Sequence, residues 1–111
     1  MQKNKTATLN DQLRRNLPNP GVLGTLLITE SVSNLEWDDQ MQLIGMVSRF
    51  QDFTEDNDPY EEHDFGSVER NGQSYFWKID YYDNNLKYHS PDKENAAVTS
   101  RVLTIMEASD C

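Results

Sequence analysis

Cysteine is almost absent from this 111-residue chain: its one thiol is Cys111, the last residue, so no internal disulfide can form and a reducing compartment is expected. Long apolar runs are missing too. No stretch of about 18 apolar residues occurs, and Met-Gln-Lys-Asn-Lys-Thr at the start has no apolar segment behind its lysines. Neither a transmembrane helix nor a secretory signal is expected, which leaves the cytoplasm as the expected location and no membrane as partner. Positive charge is scarce. Ten Lys and Arg stand against nineteen Asp and Glu, giving a net charge of -9 and a pI near 4.5. Affinity for nucleic acid comes largely from Lys and Arg displacing counterions, so direct nucleic-acid binding is disfavoured and a basic protein or nucleoprotein complex is the better partner. Acidity also has a plainer purpose, solubility. There is no Gly-x-Ser-x-Gly elbow, Gly-rich phosphate loop or His-Glu-x-x-His pair, and no internal repeat.

What is present suits one domain over 1–111, with residues 1–6 as a flexible tail. Mean hydropathy is low at -0.80, yet two Trp, five Tyr and four Phe can bury large areas from few positions. Thr8 or Asn10 can cap a short helix to about Leu17, with Asp11 in its first turn and Arg14 and Arg15 in its last. Pro18 and Pro20 stop it. Residues 22–29 read as a buried strand, in which Gly24 suggests a bulge or a close backbone approach. Ser33 or Asn34 can cap a longer helix to about Phe50, with Leu43, Ile44, Val47 and Phe50 on its apolar face.

Asn71-Gly72 between 65–70 and 73–82 predicts a type I′ hairpin. In its second strand Tyr75, Trp77, Ile79 and Tyr81 form the face expected to meet the helices. A final strand runs over 99–107, where a buried Arg101 would need a carboxylate, one the acidic stretch can provide. The expected class is α+β: an antiparallel sheet of about four strands with one long and one short helix packed on it.

The unusual stretch is 50–66, which packs seven carboxylates between Asp52 and Asp64 with no Lys or Arg among them. Charges this dense repel, so the stretch is a solvated loop, a cation site, or a surface that meets a basic partner. Phe-Thr-Glu-Asp-Asn-Asp-Pro-Tyr at 53–60, Glu-His-Asp-Phe-Gly at 62–66, Phe-Trp-Lys-Ile-Asp-Tyr-Tyr-Asp at 76–83 and Arg-Val-Leu-Thr-Ile-Met at 101–106 resemble an uncharacterised bacterial family, domain of unknown function 3768. The family's Tyr-Gly-Glu-His run reads Tyr60-Glu61-Glu62-His63 here, which adds a charge. The resemblance implies no activity. It does imply a mobile-element context, in which small acidic proteins that block host defence nucleases by stoichiometric binding are expected.

Three chemistries follow. As a binding protein, the chain would imitate nucleic-acid phosphates with Glu55, Asp56, Asp58, Glu61, Glu62, Asp64, Asp80 and Asp83, with Tyr60 as an aromatic anchor. This inhibitor reading, anti-CRISPR-like in manner, is the leading one; it needs no cofactor and is non-enzymatic. As a cation site, Asp56, Asp58, His63 and Asp64 are the candidates, a divalent ion being the only cofactor the residues suggest, although EF-hand spacing is lacking. As an enzyme, His63 held by an Asp could act as a general base in metal-assisted hydrolysis, but no nucleophile completes it. Oligomeric state is left open by the sequence.

Overall fold

The computed structural model describes residues 4–110; residues 1–3 of the expected tail and Cys111 lie outside the described residues. Lys5 and Thr6 of that tail are helical. Asn4 caps α1 (Lys5–Arg15) by accepting a 2.7 Å hydrogen bond from the Ala7 amide, and Thr6 and Ala7 are buried, so the helix starts earlier than Thr8 or Asn10 would place it. Gly21–Leu23 form a 3-10 turn, which shortens the expected strand to β1 (Thr25–Ile28). Gly24 is the close approach anticipated from sequence: a Cβ there would lie 2.3 Å from Leu13 Cδ1. One turn of helix, α2 (Glu30–Ser33), precedes α3 (Trp37–Ser48), whose first turn carries Asp38 and Asp39. The hairpin β2 (Phe65–Arg70) and β3 (Gln73–Tyr82) has the bounds expected, with Asn71 and Gly72 at φ 53° and 77°. β4 is Ser100–Glu107.

The sheet order is β1-β4-β3-β2, and here the expectation needs correction. β2, β3 and β4 pair antiparallel, but β1 pairs parallel to β4, with Leu26 beside Leu103 and Ile28 beside Ile105, so the sheet is mixed. The chain order explains it. α2 and α3 carry the chain from one edge strand to the other in a crossover that leaves β1 and β2 pointing the same way. Two reversals then return β4 alongside β1 in that direction.

The core lies between the helices and one face of the sheet: Leu13, Val32, Leu43, Ile44, Val47 and Phe50 meet Tyr75, Trp77, Ile79, Leu103 and Ile105. Alternation along β3 sends Phe76, Lys78, Asp80 and Tyr82 to the other face. Among the described residues no helix is long and apolar enough to cross a membrane.

Candidate functional site: the acidic loop and its polar underside

On α1, residues 7, 10, 11 and 14 fall at the i, i+3, i+4, i+7 spacing of a buried stripe, and all four are buried. Three of them are polar. Asn10, fully buried, donates to the Glu62 carbonyl (3.0 Å) and to the Tyr81 hydroxyl (2.7 Å), and accepts from Arg101 Nε (2.9 Å). Tyr81 in turn donates to Asp64 at 3.0 Å. Asp11 accepts from Arg14 at 2.7 Å and from His63 Nδ1 at 3.0 Å.

Arg14 reaches past Asp11 to the end of α3, donating to the carbonyls of Phe50 (2.7 Å) and Val47 (3.3 Å), and its guanidinium lies over the rings of Phe53 and Trp77. A side chain of one helix thus adds hydrogen bonds at the C-terminal end of another and in the turn after it. Burial lowers the Arg14 pKa, against the opposing pull of Asp11. Burial likewise lowers that of Arg101. Among the described residues Arg101 has no carboxylate partner, contrary to expectation; it bonds Asn10 and the Lys93 carbonyl and stacks on Tyr81.

The acidic segment is split by this underside. Asp58 is buried and its carboxylate accepts from the amides of Glu62 (3.0 Å) and His63 (3.1 Å). Glu62 pairs with Lys93 at 2.5 Å. Burial pushes the Asp64 carboxyl above the usual carboxylate range, despite the Tyr81 hydroxyl, and burial together with Asp64 pushes Tyr81 above its ordinary value. Asp52, Glu55, Asp56, Tyr60 and Glu61 are exposed, Tyr60 at 80%. Their backbone is braced: Asn57 accepts from the Thr54 amide and donates to the Asp52 carbonyl, and Asn4 donates to the Glu61 carbonyl. Asp80 sits on the opposite sheet face, paired with Lys78 at 3.0 Å, and Asp83 accepts from the amides of Asn85 and Lys87 in its own turn. Of the nine partner-binding candidates, then, Glu55, Asp56, Tyr60 and Glu61 form the exposed group.

His63 has carboxylates at both ring nitrogens, Asp11 at Nδ1 and Asp58 3.6 Å from Nε2, and stacks on Phe53 at 4.0 Å between centroids. The ring thus ties Asp11 on α1 to Asp58 in the loop. Asp56, Asp58, His63 and Asp64 do not converge: Asp56 faces solvent and Asp64 faces Tyr81. Among the described residues no group of three His, Cys, Asp or Glu is disposed to hold a metal.

A family model described as Protein of unknown function (DUF3768) matches residues 28–110. The chain belongs to this family. The DUF3768 match includes the acidic loop and the hairpin, whereas Asn10, Asp11 and Arg14, which lock the loop from beneath, precede it. From sequence Asp11 and Arg14 read as dipole-compensating charges, and no local signal marks their burial. No curated protein and no solved structure matches the chain.

Proposed function

We propose that this protein is a small, non-enzymatic interaction protein whose acidic loop occupies a basic groove of a nucleic-acid-handling partner, as an inhibitor of a host defence nuclease complex would. The observation that carries the reading is the sorting of charge in 52–64. Asp58, Glu62 and Asp64 are held by groups of the fold, while Asp52, Glu55, Asp56 and Glu61 are exposed on a braced backbone. Bracing lowers the ordering cost of binding. Tyr60 among these carboxylates supplies an aromatic anchor of the kind enriched at interface hot spots. Among the described residues Arg14 and Arg101 are buried, and Arg70, Lys78 and Lys93 already hold carboxylates.

The test is co-purification from the native host, followed by titration of the partner recovered. Wild-type protein should hold that partner at fixed stoichiometry, with an affinity that falls steeply as salt rises. The combined variant Asp52→Asn, Glu55→Gln, Asp56→Asn, Glu61→Gln should lose it. Partner binding that survives these four changes, or that is flat across a wide salt range, would end the reading.

A further inference from the structure

A cavity of about 400 Å³ opens between α3 and the end of β2, lined by Met41, Gln42, Gly45, Met46, Arg49 and Arg70. It is an open groove rather than an enclosed pocket, and its lining has two chemistries. Met41 and Met46 offer adaptable apolar walls. Arg49 and Arg70 bring two guanidinium groups into a protein of net charge -9. Arg70 is fixed in place: it donates to Gln42 at 2.6 Å and pairs with Asp39 at 2.8 Å. That contact uses its charge. Arg49 has no ion pair among the described residues, and its guanidinium folds back over Gly45, where a Cβ would lie 3.0 Å from Nη1. Gly45 lets the guanidinium lie close against the helix, although glycine is a poor residue for the interior of a helix.

We propose that this groove binds an apolar monocarboxylic acid, its carboxylate taken by the Arg49 guanidinium with Arg70 alongside and its hydrocarbon body laid against Met41 and Met46. One uncompensated cation calls for one negative charge, so a monoanion fits better than a phosphate dianion. This site is separate from the acidic-loop reading and does not rest on it.

The experiment is an NMR titration of the isotope-labelled full chain with decanoate below its micellar concentration, with decanol and acetate as paired controls. Decanoate should shift resonances of Gly45, Arg49 and Arg70, and neither control should match its affinity. Arg49→Gln should weaken decanoate about tenfold or more, the loss of a charge-assisted contact. Gly45→Ala, which makes the guanidinium give by only a few tenths of an ångström, should weaken decanoate less than Arg49→Gln does, while leaving the spectrum outside α3 in place and raising the thermal midpoint, because alanine is the better helix former. Decanoate leaving these resonances unmoved, decanol or acetate binding as tightly as decanoate, or Arg49→Gln retaining wild-type affinity would each overturn the proposal.

Discussion

Glu61 and His63 both adopt left-handed backbone, with φ of 55° and 57°, on either side of Glu62. Side chains with a Cβ pay roughly 1–2 kcal/mol for that conformation, and glycine does not. The turn is therefore made with Glu61 in a conformation that glycine would adopt without strain. Glu61→Gly should raise stability by about 0.5–1 kcal/mol, the relief of strain less glycine's added unfolded-state entropy, as read from urea unfolding. A decrease would mean that the exposed Glu61 side chain makes contacts that outweigh its strain.

Asp64 makes the second prediction at this scale. Its folded pKa is raised, chiefly by burial, so over the window from the ordinary carboxylate value up to the folded one the native state holds more protons than the unfolded state. Stability from this group is thus lost as pH rises through that window. Asp64→Asn keeps an acceptor for the Tyr81 hydroxyl and removes the buried charge. It should be the more stable protein at neutral pH, with the advantage disappearing once pH falls below the ordinary carboxylate range. Unfolding curves at several pH values that stay parallel for the two proteins would contradict this.

At the scale of elements, α1 is held as much by polar contacts as by apolar ones. Leu13 is fully buried against the core, and Asn10 joins three elements. Leu13→Ala should cost about 2–5 kcal/mol from lost burial and the cavity left behind. Asn10→Ala should cost about 1–3 kcal/mol by stranding Arg101 Nε and the Glu62 carbonyl. Denaturant midpoints for both variants check these values, and an Asn10→Ala protein as stable as wild type would show that water replaces the network. Such a helix is hard to read from sequence. Its inward stripe looks solvent-facing until its partners from 58–64 and from the sheet are known. The hairpin, by contrast, was legible to the residue, because Asn71-Gly72 encodes its turn locally and alternation along β3 does the rest.

For the whole molecule, a net charge of -9 means that folding gathers like charges. Self-repulsion of this kind destabilises the compact state and is screened by salt, whereas the exposed ion pairs that salt also screens are worth little. The thermal midpoint should therefore rise by a few degrees between about 0.05 and 0.5 M sodium chloride, measured by scanning calorimetry. A midpoint that falls would show that the attractive pairs dominate.

The residue pattern alone determined that the chain is α+β, where the hairpin and the last strand lie, which face of β3 is buried and that the 52–64 stretch is anionic, because each depends on neighbours within a few positions. It also carried the family resemblance. Only the tertiary structure decided that β1 joins the sheet in parallel, that α1 starts at Lys5 and lends its polar stripe to the loop, and which carboxylates face inward. Those outcomes rest on pairings between residues tens of positions apart, where the cost of burying a charge or an amide is set by groups that local sequence does not name.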